Sequence, residues 1–503
     1  MIIKQIYTKC LAQGSYYIES DGEAAIIDPL REPHPYIKLA IKSNAKIKYI
    51  FETHIHADFV SGHIDLAQKT GAKIIFGPNA NTHFNCHNAK DNEEFKIGNI
   101  KIKVLHTPGH TLESVSYLLI DKNGKDHAIF TGDTLFLGDV GRPDLAIKSD
   151  LTEKDLAGMM FESLRSKIMC LDDNVIVYPA HGAGSACGKN LSNETIGTIG
   201  DQKNTNYALR SDMTKEEFIK EVLDGISPPP QYFAKNALLN KVGYNNLESV
   251  LNKGDIPLDP EMFEKISKES KAIILDVRTQ NEFVKNHIPG SIFIGLNGNF
   301  APWVGALISD INQTILLVVP EGRSEEAITR LARVGYDNTI GYLKGGLKSW
   351  IDAGKTTDTI QSISAEEFNQ MHTNNAETVL DVRKESEFFY QHIKSDFLKH
   401  FPLGSIYNDI KKLNPEKNYF IHCAGGYRSV IAASILKSLG INNIIDIAGG
   451  FSAIKKTNIN LSEVVCSNWK TYLISALNPA WSNFLHLGSK SLYGPVFTVH
   501  LPL

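Results

Sequence analysis

An α/β fold class, spread over several domains, is what the sequence predicts for this chain. Three observations carry that prediction. Short apolar runs alternate with Gly-, Asp- and Asn-rich turns through the first half. Helical periodicities fall between those runs. The second half then contains one strand–helix unit twice. With 503 residues in the chain, and single hydrophobic cores that stop growing at roughly 250–300 residues, two to four domains are expected.

In the first half SYYIES, AAIIDP, IKYIFETH, AKIIFG, IKIKVLHTPGH, SVSYLLID, HAIFTGD and NVIVYPAHG each read as a strand feeding a polar loop. VSGHIDLAQKTG and KDLAGMMFESLRSKI read as helices. Polar residues therefore collect at strand ends, where α/β sheets place their sites. Thr214, with Glu217 three residues on and FIKEVL following, makes a capping box. That helix is expected to end near Gly225, ahead of Ser227 and Pro228–Pro230. Segment 214–243 closes the first domain, and the boundary is placed near 255.

The repeat follows. AIILDVRTQNEFVKNHIPGS at 272–291 matches TVLDVRKESEFFYQHIKSD at 378–396. The two LDVR runs, Leu275–Arg278 and Leu380–Arg383, stand 105 positions apart, and the same offset lays VVPEGRS over CAGGYRS. YLKGGLKSW and IAGGFSAI correspond with a shift of one residue. Two related units are expected over 256–358 and 359–466. The tail 467–503 fits neither copy.

With 21 % charged residues and a net charge of −4, the chain offers no electrostatic footprint for nucleic acid or an anionic membrane. No apolar run is long enough to cross a bilayer, and MIIKQIYTKC lacks the order of a signal peptide. The six cysteines show no paired spacing. A reducing cytoplasm is expected, with reactive thiols rather than disulfides.

The strongest local signal is Thr53-His54-Ile55-His56-Ala57-Asp58, directly after the apolar strand KIKYIF. His110 follows in HTPGH, Asp133 in FTGDT and His181 in YPAHG. One such histidine is an ordinary loop residue. Imidazoles and carboxylates at the ends of successive strands instead form a metal-binding set suited to zinc, iron or manganese. In the second repeat, Cys423 opens the loop CAGGYRS after the strand NYFIHC, and a helix follows. A thiol on a Gly-rich turn at a helix N-terminus sees several N–H dipoles, and Arg428 adds positive charge; all favour the nucleophilic thiolate.

The HxHxD pattern with the later His, Asp and His resembles the metallo-β-lactamase superfamily, which implies an αββα sandwich. Members of that superfamily hold two adjacent metals, and Phe59 stands where a ligand of the second is usual, so a mononuclear site is expected. THIHADFVSGH, GHTLESVSYLL and GDTLFLGDVGRPD look most like the persulfide dioxygenases. That resemblance implies one iron(II) held by His54, His110 and Asp133, a facial triad with three positions open. It makes His56, Asp58 and His181 residues that orient ligands or accept protons, and Arg142 the holder of the substrate's anionic tail. It also suggests a persulfide-handling role for Cys187, whose alternative is a small buried hydrophobe.

The spacing of Cys423, Gly426 and Arg428, with Gly425 between, resembles the rhodanese active loop, and the repeated units resemble rhodanese domains, doubly wound α/β folds. In the first copy Val318 occupies the thiol position at the 105 offset, so that unit is expected to be catalytically inactive. Together the resemblances imply oxidation of a low-molecular-weight thiol persulfide by O₂ to sulfite, and sulfur transfer through Cys423 giving thiosulfate. Sulfide detoxification in a cytoplasmic homo-oligomer is the implied setting. Glutathione, coenzyme A and bacillithiol remain open as the carrier thiol. Two other readings stand beside it: a thiolester hydrolase of the glyoxalase II type fused to a sulfurtransferase, and a sulfur-carrier or redox-sensing module.

Overall fold

The computed structural model describes residues 1–145, 151–189, 191–226, 228–374 and 377–465. Ser227, Cys466 and the tail 467–503 lie outside the described residues.

The first domain is two six-stranded sheets packed face to face. One runs in the order Ile2–Thr8, Gln13–Ser20, Glu23–Ile27, Lys46–Phe51, Lys73–Phe76, His87–Asn88; the other runs Gly197–Thr198, Ile176–Pro179, Asp126–Gly132, Val115–Ile120, Ile100–His106, Glu94–Ile97. Side chains alternate across a strand, and the cores follow that alternation. Tyr16, Ile18, Ala25 and Ile27 meet Phe95, Ile102, Tyr117 and Phe130 between the sheets. Their neighbours Tyr17, Ala24 and Ile26 point outward, against Tyr36, Ala40 and Leu66 of the helices His34–Lys42 and His63–Thr70. On the opposite outer face Ile129 and Val177 pack on Met160 and Phe218 of the helices Glu153–Ser163 and Lys215–Leu223. The result is the αββα sandwich. Thr214 and Glu217 form the reciprocal capping box at the start of the latter helix.

Two parallel five-stranded sheets follow with the same strand order. Their central strands, Ile315–Val318 and Tyr419–His422, are buried along their whole length, as parallel strands covered on both faces should be. The repeated LDVR is one device used twice. Arg278 bonds Asp276 at 2.6 Å and the Asn286 carbonyl at 2.9 Å; Arg383 bonds Asp381 at 2.6 Å and the Gln391 carbonyl at 2.9 Å.

Strand register corrects one correspondence. Asp276 pairs with Val318, whereas Asp381 pairs with His422. The residue that answers to Cys423 is therefore Val319, not Val318. The first copy has one extra residue between Asp276 and Val318, so the central strands and the later GG pairs both stand 104 positions apart, while the loop from Val319 to Arg323 is one residue shorter than that from Cys423 to Arg428. The conclusion that this unit carries no thiol is unchanged.

The first two units are keyed together by polar contacts. Helices Phe233–Val242 and Leu247–Gly254 bridge them, the latter ending where the boundary near 255 was expected and packing on the next domain's strand Thr339–Leu343. Arg31 is fully buried and bonds Asp337 at 2.9 Å and the Asn245 carbonyl at 2.6 Å, with its guanidinium 4.1 Å over the Tyr244 ring. Val60 donates its N–H to the Arg333 carbonyl at 2.7 Å, and Glu32 pairs with the Arg333 guanidinium. Among the described residues no helix is long and apolar enough to cross a membrane.

Removing one partner of a buried pair leaves the other charge uncompensated, at a cost of about 3–5 kcal/mol. Asp337→Ala is expected to lower the chain's first denaturant-induced transition by about 3 kcal/mol. The double change Arg31→Met with Asp337→Leu should cost markedly less. Equal losses in a chemical-denaturation comparison would remove Arg31–Asp337 as the key of this interface.

Candidate metal centre and sulfur-transfer loop

Each candidate ligand stands at a strand end. His54 follows Lys46–Phe51, His110 follows Ile100–His106, Asp133 follows Asp126–Gly132, and His181 follows Ile176–Pro179. Gly132, with φ +54°, makes the turn into Asp133; a Cβ there would lie 2.6 Å from Thr53. Only glycine combines that backbone with that approach.

His54, His110 and Asp133 converge, with one potential ligand atom from each within 4.8 Å of the others, and all three are buried. His110 Nε2 is 3.4 Å and His54 Nε2 3.8 Å from Asp133 Oδ2. Partners on the far side of each ring decide which nitrogen is available. His110 Nδ1 donates to the Arg142 carbonyl at 2.8 Å, since a carbonyl can only accept. Thr53 donates its hydroxyl to Asp28 at 2.8 Å, so its oxygen accepts from His54 Nδ1 at 3.0 Å. Both Nε2 lone pairs therefore face the common centre. Asp133 Oδ1 is taken by His181 Nδ1 at 2.7 Å, while its buried Oδ2 has no hydrogen-bond partner. Two neutral imidazoles and one orphaned carboxylate oxygen are the donor set a divalent metal requires. Burial, with the nearby His56, holds His54 well below the ordinary histidine range. Burial opposes ionisation of Asp133, but His181, His54 and His110 outweigh it and hold the carboxyl well below its usual value.

His181 is gripped from both sides, with Nε2 bonding Asp58 at 2.8 Å. Burial disfavours its charge, but Asp133 and Asp58 outweigh burial and push it up to about 10. His181 thus holds one oxygen of Asp133, and Asp58 holds His181 in turn. His56 differs from expectation. Its Nε2 lies 3.1 Å from Asp28 and 3.2 Å from Glu52, facing those buried carboxylates instead of the centre. Its place in the site is indirect, through Asp28, which fixes Thr53. Phe59 is fully buried, its ring 4.4 Å from the His56 ring. Asn240, not foreseen in the sequence, pins this turn. Its amide donates to the carbonyls of His56 at 2.8 Å and Phe59 at 2.7 Å and accepts from the Ser61 N–H at 2.9 Å.

Cys187 is buried and converges with Asp58 and His181 as a second group of potential ligands. Burial, with Asp58 and Asp133, pushes this thiol well up, so it stands neutral. Arg142 bonds Asp144 at 2.6 and 2.7 Å and the Ala186 carbonyl at 3.2 Å, and its N–H donates to the Cys187 carbonyl at 2.9 Å. In this structure it ties the Cys187 loop to His110.

The Cys423 loop lies apart from this centre. The Gly426 N–H donates to Cys423 Sγ at 3.1 Å, from a glycine at φ +95°. Gly425 precedes it with open space where a Cβ would stand. Arg428 is held by Glu387 through two bonds of 2.6 and 2.7 Å. The second-copy GG pair packs on this loop: the Phe451 N–H donates to the Cys423 carbonyl at 2.7 Å, and a Cβ on Gly450 would lie 2.5 Å from that oxygen.

Comparison with known proteins fits this division. The description "Metallo-beta-lactamase superfamily" matches residues 9–85, and "Rhodanese-like domain" matches 259–353 and 364–457. A metallo-beta-lactamase from Staphylococcus aureus is 34 % identical with a TM-score of 0.60, over 98 % of that chain and 68 % of this one. This chain belongs to the metallo-beta-lactamase superfamily and carries two rhodanese-like domains behind that fold. Its curated relatives include hydrolases and dioxygenases. A cytoplasmic hydroxyacylglutathione hydrolase of Arabidopsis thaliana is 33 % identical over 36 % of this chain and 67 % of its own length. The mouse persulfide dioxygenase ETHE1 is 28 % identical over 42 % of this chain and 74 % of its own.

Partners that orient a metal-binding histidine are typically worth 10–100-fold in metal affinity. Thr53→Val keeps the shape but removes the oxygen that holds His54 Nδ1, so metal retention against a chelator should fall about tenfold. Retention equal to wild type would mean that Asp28 and Thr53 do not orient His54.

Proposed function

We propose that this chain is a persulfide dioxygenase with a built-in sulfurtransferase. A thiol persulfide, O₂ and water give the thiol, sulfite and two protons at a single iron(II) held by His54, His110 and Asp133. Cys423 takes sulfane sulfur from a second persulfide. Sulfite then attacks the outer sulfur of the Cys423 persulfide, the S–S bond breaks, and thiosulfate leaves with the Cys423 thiolate restored.

The observation that carries this reading is the orphaned Asp133 Oδ2 facing two imidazole Nε2 atoms, in one chain with a thiol that receives a backbone N–H. Bound iron(II) would supply the redox chemistry that O₂ needs, which no side chain provides. The chain's own residues do the rest. His181 occupies Asp133 Oδ1, leaving one carboxylate oxygen to bind. Asp28 and Thr53 on one side, and the Arg142 carbonyl on the other, keep both imidazoles in the binding tautomer. The loop that follows Cys423 offers its N–H to whichever anionic sulfur stands there. Cytoplasmic sulfide detoxification is the role this reading assigns.

A two-metal thiolester hydrolase is the second reading, favoured by the Asp58, His181 and Cys187 group and by the hydrolase relatives. Against it, both ring nitrogens of His181 are already engaged by carboxylates and Phe59 is apolar. Metal analysis of protein purified without added metal, joined to O₂ uptake with a panel of thiol persulfides, separates the two. About one iron per chain with O₂ uptake supports the dioxygenase; two zinc ions without uptake support the hydrolase.

Two substitutions test the assignments. His110→Ala is expected to abolish both iron retention and O₂ uptake. Cys423→Ser is expected to leave O₂ uptake intact and shift the product from thiosulfate to sulfite. Thiosulfate formed at the wild-type rate by the serine variant would defeat the coupling.

A further inference from the structure

We infer that Tyr427 is a positioning residue, and that the thiol-less rhodanese-like domain serves as the seat that sets the Cys423 loop through it. The inference rests on the reading of Cys423 as the sulfur-transfer nucleophile.

Tyr427 stands between Gly426, whose N–H meets Cys423 Sγ, and Arg428, which is locked to Glu387. Its side chain leaves its own domain. The hydroxyl donates to the Gly295 carbonyl of the thiol-less unit at 2.7 Å. The ring lies on Gly298, where a Cβ would fall 2.3 Å from Tyr427 Cζ, and edge-on to Phe293 with centroids 5.6 Å apart. The helix that follows, Tyr427–Ser438, is buried from Ser429 through Leu436. A helix apolar on all sides needs cover on all sides, and part of that cover is the strand Ile292–Phe293 of the other domain, whose Phe293 N–H donates to Ser434 Oγ at 3.0 Å.

The seat is itself braced by the remnant of the first loop. Arg323, the counterpart of Arg428, bonds Asn297 at 3.1 Å, and Arg330 bonds the Leu296 carbonyl at 2.6 Å. Arg323, in a loop without a thiol, holds the turn on which Tyr427 rests. Pinning the Tyr427 ring fixes the Gly426–Tyr427 peptide, and through the Gly426 backbone it restrains the preceding Gly425–Gly426 peptide, whose N–H points at the sulfur.

The test uses the full chain and reads Cys423 directly. Gly298→Ala has no left-handed backbone to strain and alters only the neighbouring domain. It is expected to slow iodoacetamide alkylation at Cys423, followed by peptide mass spectrometry, about fivefold, because displacements near 1 Å are costly to aligned groups. The kcat for sulfur transfer from thiosulfate to cyanide should fall with it, while KM for thiosulfate and O₂ uptake hold. In a Tyr427→Leu background Gly298→Ala should cost nothing further, because no ring remains to be displaced. Tyr427→Phe, which keeps the ring and is the variant least able to disturb folding, should show about a twofold loss, the Gly295 bond alone. Alkylation and kcat at wild-type values in these variants, or losses that simply add in the double variant, overturn the inference. The alkylation rate stays informative even where the chain proves inactive on persulfides, so failure of the dioxygenase reading and failure of this one are distinguishable.

Discussion

A charge taken out of water must find a partner, and the first domain buries an unusual number of them around one point. Asp28, Glu52, His56, His63, Asp58, Asp133 and His181 are all almost wholly inaccessible. Desolvation of that many groups is tolerable only if each is matched. The matching sorts them into two sets. Asp28, Glu52, His56 and His63 gather beneath the loop, with ring nitrogens 3.1–3.3 Å from carboxylate oxygens. Asp58, His181 and Asp133 form a second chain that ends on Asp133 Oδ2, with no protein hydrogen bond left for it. The unmatched end is where the two Nε2 atoms gather. Asp58 Oδ1 is also without a hydrogen-bond partner, but only at Asp133 Oδ2 do two imidazole Nε2 atoms converge, and a cation would complete that set.

This explains why His54 and His56, two residues apart, differ. Strand-end geometry gives both a route to the centre, and their rings stand 4.2 Å apart. His56 meets two carboxylates and turns to them, whereas His54 meets the Thr53 hydroxyl, whose oxygen accepts a hydrogen bond from Nδ1 and leaves Nε2 toward the centre. The local environment beneath the loop, and not the motif, divides the pair into a charged brace and a neutral ligand.

Much of this was legible in the sequence, and the limits are physical. Alternation and turn residues exposed the strands, and the LDVR repeat exposed the two parallel units, because period and repetition are local properties. His54, His110 and Asp133 were legible because a metal set needs particular residue types at strand ends. The orientation of His56 was not, since Asp28 and Glu52 are joined to it only by folding. Asn240 carried no signal at all: it lies 184 residues from the carbonyl it serves. The offset that put Val318 in place of Val319 assumed a constant spacing, and one extra residue between Asp276 and Val318 broke it. The role of Arg142 came from resemblance and not from its neighbours, and its pairing with Asp144 becomes visible only in the fold.

That placement of Arg142 has a consequence for the whole first domain. One residue now serves both groups of potential ligands: its carbonyl sets the His110 tautomer, and its N–H and guanidinium hold the carbonyls of Cys187 and Ala186. A displacement of the Cys187 loop would therefore reach His110 through a single residue. The same arrangement recurs between domains, where Val60 of the metal loop is bonded to Arg333 and the Cys423 loop rests on Gly295 and Gly298. The unit without a thiol touches the loops of both sites. A domain without a thiol still offers packing surfaces, and here those surfaces meet the loops of both its neighbours.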